Sequence, residues 1–224
     1  MTVIPTIKPV GDTGLLFEFG SVIDPAVFDR ILAIDAALAA DPPAGMQETV
    51  PAYASLLVVY DPLVTDAATL ETDVMRRAQL GGTAAPAGTN HIIPMCHDAD
   101  LAPDLVEAAA TLGITPDALV AAHLGAEYRV YMYGFAPGYA YMDGVPTALH
   151  LPRKAVPVRS RPVGSIMIAG GQCLITTLPM PTGWWVIGRT STHVLRPHAA
   201  SPFLFQPGDR VRFRAVSRAE FEAG

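Results

Sequence analysis

Tyr131-Met132-Tyr133-Gly134-Phe135-Ala136-Pro137-Gly138-Tyr139-Ala140-Tyr141 opens the segment whose reading decides the fold, and Pro181-Thr182-Gly183-Trp184-Trp185-Val186-Ile187-Gly188-Arg189-Thr190 closes it. Between them runs Gly164-Ser165-Ile166-Met167-Ile168-Ala169-Gly170-Gly171-Gln172. Glycine and proline alternate here with aromatic and β-branched residues. Glycine lets a second backbone or a ligand approach closely, and proline stiffens a loop. Two readings follow: strands whose loops form a pocket, or a barrel with tight turns and no ligand. Trp184 and Trp185 point to opposite faces if they lie on a strand, so at most one lines a pocket.

Downstream, only strands and turns are expected as far as Val216. Arg210-Val211-Arg212-Phe213-Arg214 alternates as a half-buried strand does. Upstream, Tyr128 to Tyr133 reads as a strand entering the segment. Two short helices precede it, one between Pro103 and Gly113, the other from Thr115-Pro116 to His123-Leu124-Gly125. His91 to Cys96 reads as a strand. Gly81 to Thr89 is a linker of small residues, which places a domain boundary at residues 88 and 89.

The first 88 residues read as strand, strand, helix, strand, strand, helix, a compact α+β domain. Asp24-Pro25 starts the first helix, with Phe28, Ile31, Leu32 and Leu38 on one face, and Asp41-Pro42-Pro43 stops it. Pro51 and Ala52 are expected to break the strand of Gln47 to Val50 before a stronger strand, Ser55 to Tyr60. Asp66 caps the second helix, and Gly81-Gly82 closes it.

With 224 residues, half of them hydrophobic, the chain has ample material for a core. No apolar run approaches the roughly 20 residues of a membrane span, and Met1-Thr2-Val3-Ile4-Pro5 lacks a signal-peptide pattern. Two distant cysteines, Cys96 and Cys173, suit a reducing, cytoplasmic setting. Residues 1–127 hold 17 acids and 4 basic residues, whereas 128–224 hold 4 and 11. This split suggests two domains, the basic one facing an anion or an acidic partner. The basic residues are nearly all arginines spread through strand-like segments, with no lysine-rich tail, so nucleic acid is not the expected partner.

No phosphate-binding loop, G-x-S-x-G elbow or His-Glu-x-x-His pair is present, and the motifs assign no catalytic residue. Neither lysine, Lys8 or Lys154, lies in a biotin-carrying context. Cys96-His97-Asp98-Ala99-Asp100 reads as a strand-end loop rather than a metal site, and His123 as a structural residue ending a helix. Arg153 after Pro152 and Arg189 after Gly188 suit bidentate capture of a carboxylate or phosphate, or are surface arginines. Gln172 presents an amide to a ligand or to a loop backbone. The pocket candidates are Phe135, Pro137, Gly138, Tyr141, Arg153, Gln172, Trp184 and Arg189, expected to gather at one end of a barrel around a small anion.

Glu127 to Tyr131, Gly134 to Tyr141, Leu151-Pro152-Arg153, Gly164 to Gln172, Gly183 to Thr190 and Pro207-Gly208-Asp209-x-Val211-x-Phe213 resemble the KipI/PxpB family. That family is also described as allophanate hydrolase subunit 1, or the carboxyltransferase C/D subdomain. The resemblance covers essentially the whole chain. It implies an α+β N-terminal domain followed by a cyclophilin-like β-barrel domain. It also implies a subunit of an ATP-dependent 5-oxoprolinase, converting 5-oxo-L-proline to L-glutamate with a KipA/PxpC-type partner and a PxpA subunit of the LamB/YcsF type. ATP then acts through the complex, and the chain alone is inactive. Two alternatives are implied: a carboxyltransferase subunit of a biotin-dependent urea carboxylase, and a KipI-like inhibitor of a histidine kinase. Leu174-Ile175-Thr176-Thr177, Met180-Pro181-Thr182-Gly183-Trp184 and Val194-Leu195-Arg196-Pro197 depart from the family pattern, the last placing a positive charge where an acid is usual.

Overall fold

The computed structural model describes residues 4–80 and 85–224. The chain divides after Ala87 into two units, residues 1–87 and 88–224. In the first unit, Asp24 caps helix α1 (Pro25–Ala40) by accepting the Ala26 N–H at 2.8 Å. Asp66 does the same for α2 (Ala67–Leu80) through the Thr69 N–H at 2.8 Å. The glycine pair expected to close α2 lies outside the described residues.

The strands β1 (Thr6–Val10), β2 (Gly14–Glu18), β3 (Met46–Ala52) and β4 (Ser55–Tyr60) form an antiparallel sheet in the order β1-β2-β4-β3. Leu15, Phe17, Leu56, Val58 and Tyr60 alternate along β2 and β4 to one face. They pack there against Ile31, Ile34 and Leu38 of α1 and Leu70 and Val74 of α2. The expected break at Pro51 and Ala52 does not occur, because β3 continues through both. β3 is an edge strand, where a proline's missing N–H can face away from the ladder.

The second unit holds a mixed sheet of seven strands. They are β5 (Asn90–Met95), β6 (Tyr128–Tyr133), β7 (Ala140–Asp143), β9 (Ser165–Ala169), β10 (Gln172–Ile175), β12 (Trp185–Arg189) and β13 (Arg210–Ala215). Their order is β12-β9-β10-β7-β6-β13-β5, with β13 and β5 parallel and the other pairs antiparallel. The two edges meet where Cys96 and Arg189 exchange both backbone hydrogen bonds at 2.9 Å, which closes the sheet into a barrel. Gly188 permits this approach: a Cβ there would stand 2.2 Å from the Met95 Cε and 3.1 Å from the Cys96 carbonyl oxygen. β8 (Val158–Arg161) and β11 (Met180–Thr182) form a separate two-stranded ribbon.

The central barrel strands are buried on both faces. Ile166, Ile168, Cys173, Ile175, Trp185, Ile187, Tyr128, Val130 and Phe213 belong to one core, shared with α3 (Leu105–Leu112) and α4 (Pro116–Leu124). Tyr139, Met167, Ala169, Leu174, Trp184 and Val186 point the other way and form a second cluster. Gly113, at φ +70°, ends α3, and Thr115 caps α4 through the Ala118 N–H at 3.2 Å. A short 3-10 turn (Thr147–Leu149) adds to the strands and turns expected up to Val216, and a helix α5 (Arg218–Ala223), with a Ser217/Glu220 capping box, follows them. Among the described residues no single helix is long and apolar enough to cross a membrane.

The charge split along the chain does not follow the division into units. The first unit carries 11 acids and 4 basic residues, the second 10 and 11. Asp100, Asp104 and Glu127 belong to the second unit, where they pair with Arg218, with Lys154 and Arg161, and with Arg210 and Arg212. Part of the acidic run therefore pairs with the basic run inside the second unit, which is close to neutral, while the first unit stays acidic.

Candidate functional site

The outward-facing aromatic cluster encloses a cavity of about 120 Å³. Its walls are Tyr139, Tyr141, Trp184, Met167 and Leu174. Pro181, Thr182 and Gly183 close one side, and Phe135 and Arg153 stand at the rim. The volume leaves room for a compact molecule.

Phe135 sits in the β6–β7 connection. The Ala136 N–H donates to the Gly134 carbonyl at 2.8 Å across Phe135, a γ-turn whose central residue has φ +68°. Ala136-Pro137-Gly138-Tyr139 follows as a β-turn closed by the Tyr139 N–H to the Ala136 carbonyl at 3.1 Å. Proline at its second position and Gly138 at φ +71° match a type II turn. Thr177 Oγ1 donates to the Pro137 carbonyl at 2.7 Å and ties the loop to the barrel. Tyr139 and Tyr141, two positions apart, then share the outward face. Burial, helped by the neighbouring Tyr141, pushes the Tyr139 phenol up to about 12, so it is a neutral donor at pH 7 and not a base.

Arg153 is held in place by its neighbours. The Lys154 N–H donates to the Gly183 carbonyl at 2.7 Å, and Trp185 Nε1 donates to the Pro152 carbonyl at 2.7 Å. Lys154 Nζ meets Asp104 at 2.7 Å and Glu107 at 3.1 Å. Burial alone would lower the Lys154 pKa, but these two carboxylates outweigh it and raise it. The Arg153 guanidinium lies 5.6 Å over the Trp184 ring and makes no hydrogen bond or ion pair among the described residues. Trp184 is itself oriented by its backbone N–H, donated to Thr182 Oγ1 at 3.0 Å. The result is an unneutralised cation stacked on the wall of an aromatic cavity, an arrangement whose chemistry suits a small carboxylate.

Asp104 supports this arrangement from below. Its side chain is 5% exposed and accepts from Lys154, from Arg161 Nη2 at 2.7 and 2.9 Å, and from the Val186 N–H at 2.9 Å. It occupies the N-cap position of α3 yet makes no cap hydrogen bond there.

Four of the eight residues expected at the pocket line the cavity: Phe135, Tyr141, Arg153 and Trp184. Pro137 and Gly138 shape the adjoining turn without lining it. Gln172 pairs in register with Asp143 and Ala169 at the far end of β10, one row beyond Leu174. Arg189 lies five positions from Trp184, about 16 Å at strand rise. There its Nε donates to the Val163 carbonyl at 3.0 Å and its guanidinium lies 5.9 Å over Phe221. Arg153 and Arg189 therefore do not share an anion site. The cavity also faces outward from the sheet instead of opening at a barrel end. Trp185 faces the core with α3 and α4, so of the pair only Trp184 lines the cavity. Sequence reasoning does not find Tyr139, Met167, Leu174, Thr182 or Asp104. The Tyr139/Tyr141 alternation is a signal for the first, whereas Asp104 has no local signal.

His123 lies in the last turn of α4, where it is a structural residue as expected. It is fully buried, stacks on Phe213 at 4.7 Å, and its Nδ1 lies 2.5 Å from the Tyr128 hydroxyl. Burial holds its imidazole down at about 3.

Residues 5–205 match the family model described as carboxyltransferase domain, subdomain C and D. The chain belongs to this family. It is 33% identical over 236 residues to a Bacillus subtilis (strain 168) protein named as a subunit of 5-oxoprolinase, spanning all of this chain and 98% of that one. The solved structure of TTHA0988 superposes with a TM-score of 0.81 at 36% identity, over 91% of this chain but only 40% of that one. The Kluyveromyces lactis urea carboxylase shares the fold, with a TM-score of 0.76 at 17% identity over 98% of this chain and 22% of that one. The carboxyltransferase C/D subdomain thus has the architecture expected from the sequence, an α+β unit followed by a cyclophilin-like barrel.

Proposed function

We propose that this protein is a subunit of a 5-oxoprolinase-type amide hydrolase, and that its aromatic cavity holds the small cyclic carboxylate 5-oxo-L-proline. The observation that carries the reading is the end-to-end similarity to a protein named as a 5-oxoprolinase subunit. The cavity supports it chemically. Trp184, Tyr141 and Leu174 offer apolar walls for a compact ring, and Arg153 offers a bidentate partner for its carboxylate.

The cavity carries no evident nucleophile or general base. Thr182 Oγ1 accepts the Trp184 N–H, and Tyr139 is a neutral phenol at pH 7. The chain's part is then binding and orientation, worth much of a barrier when reacting groups are held together. Amide cleavage falls to partner subunits of the KipA/PxpC and PxpA types. No phosphate-binding loop is present in the sequence, and ATP acts through the complex rather than in this cavity. The two buried, unpaired cysteines suit a reducing compartment, and we place the complex in the cytoplasm.

The test is reconstitution. Co-expressed with KipA/PxpC-type and PxpA-type subunits, the chain should complete ATP-dependent conversion of 5-oxo-L-proline to glutamate. Full turnover by the partners without this chain would overturn the reading. A carboxyltransferase role in a urea carboxylase is favoured only by the shared fold, and predicts urea- and biotin-dependent activity instead.

A further inference from the structure

We propose that Phe135 is a fixed cover for the cavity, stacking on the ring of a small cyclic anion whose carboxylate is held by Arg153. The proposal rests on the reading of the cavity as a carboxylate site, and adds the residue that selects a ring. Phe135 combines two features that seldom coincide. Its φ is +68°, a region that bulky side chains rarely occupy, and its side chain leaves it 77% exposed.

Neither feature serves the fold. Glycine would adopt this turn without strain and keep every backbone hydrogen bond of the loop. A ring so exposed adds little to a core. Strain of this kind persists where the surroundings enforce it, and it clusters at ligand sites. The surroundings do enforce it. The Gly134 N–H donates to the Tyr139 carbonyl at 3.2 Å, the Ala136 and Tyr139 amides close the two turns, and Thr177 anchors Pro137. The loop backbone is therefore pinned, and it presents the ring at the cavity, 5.7 Å from Tyr139 and tilted by 59°.

Trp184 and Phe135 both line the cavity, and Tyr141 meets Trp184 edge-on at 6.0 Å. A ligand entering between them would bury the exposed face of Phe135, while its carboxylate reached the guanidinium stacked on Trp184. A flat or puckered five- or six-membered ring fills this slot, and an open chain leaves the Phe135 face uncovered. Phe135 is thus a specificity-determining residue for ring-bearing carboxylates.

Titration calorimetry on the full chain, with 5-oxo-L-proline and the acyclic carboxylate N-acetylglycine, tests this. Phe135→Gly should leave the melting temperature unchanged or raised. It should weaken 5-oxo-L-proline about tenfold and N-acetylglycine much less. Phe135→Tyr should restore the preference for the ring. If the wild-type chain binds neither compound, both the cavity reading and this proposal fall. If Phe135→Gly binds 5-oxo-L-proline as tightly as wild type, the proposal falls and the cavity reading stands. Unchanged affinity combined with lost co-elution with a KipA/PxpC-type subunit would make Phe135 a docking residue, and would also overturn it.

Discussion

Replacing Asp104 with alanine should destabilise the second unit by about 3–5 kcal/mol, the cost of breaking a buried ion pair by removing one partner. The structure supplies the terms. Asp104 is 5% exposed, and its partners Lys154 and Arg161 are 12% and 14% exposed. Its carboxylate also takes the Val186 N–H of a central barrel strand. Alanine leaves Arg161 without this carboxylate and Val186 without an acceptor, while Lys154 keeps Glu107 at 3.1 Å. That remaining partner argues for the lower half of the range. Asp104→Asn keeps an acceptor for one donor and should cost about 1.5–3 kcal/mol, as for one hydrogen bond to a charged group.

Urea unfolding followed by tryptophan fluorescence is the direct assay. Both tryptophans, Trp184 and Trp185, lie in the second unit, and Lys154 Nζ stands 4.5 Å over Trp185. The midpoint should fall at constant slope. Because Lys154 adjoins Arg153, the same change should also weaken carboxylate binding. The combined replacement of Asp104, Lys154 and Arg161 by apolar residues of similar size should recover most of the stability. A loss below about 1 kcal/mol for Asp104→Ala, the range of exposed pairs, would refute the reasoning.

Arg153→Ala should weaken 5-oxo-L-proline binding by about 1.5–3 kcal/mol and change stability by less than about 0.5 kcal/mol, read by calorimetry and thermal melting. Gly188→Ala should cost about 1–3 kcal/mol in urea unfolding, since its Cβ would collide with Met95 and crowd the Cys96 carbonyl at the closure of the barrel. His123 gives an acid-sensitive term. Its pKa falls from 6.5 unfolded to about 3 folded, so between those values the unfolded chain binds a proton that the native chain does not. Stability from this group is present above pH 6.5 and is lost as pH falls, by up to about 1.4 kcal/mol per unit. His123→Gln should flatten that part of the stability–pH curve measured by urea unfolding, and an unchanged slope would count against the assignment.

Features that depend on neighbours along the chain are legible in the sequence. Asp24-Pro25, Asp66, Thr115-Pro116 and Gly113 mark helix ends because caps and turns act over three or four residues. The alternation of Arg210 to Arg214 marks a half-buried strand because side chains of a strand alternate faces. Phe135, Tyr141, Arg153 and Trp184 stand out as pocket residues by their company of glycine, proline and aromatics. Which residues meet is settled by the folded chain. The β-bulge between Val186 and Gly188 shifts the register by one residue and turns Arg189 away from the face that Trp185 and Ile187 occupy. It lies rows away from Arg153, though the two arginines look alike in sequence. The same holds for charge. The acidic run and the basic run read as two domains, yet the end of the acidic run, Asp100, Asp104 and Glu127, lies in the barrel unit and pairs there with the basic run. Arg153 is left unpaired at the cavity because its Lys154 and Arg161 neighbours take the nearby carboxylate. A cation's partners are set by distances of a few ångströms across strands far apart in sequence, and no local pattern encodes them.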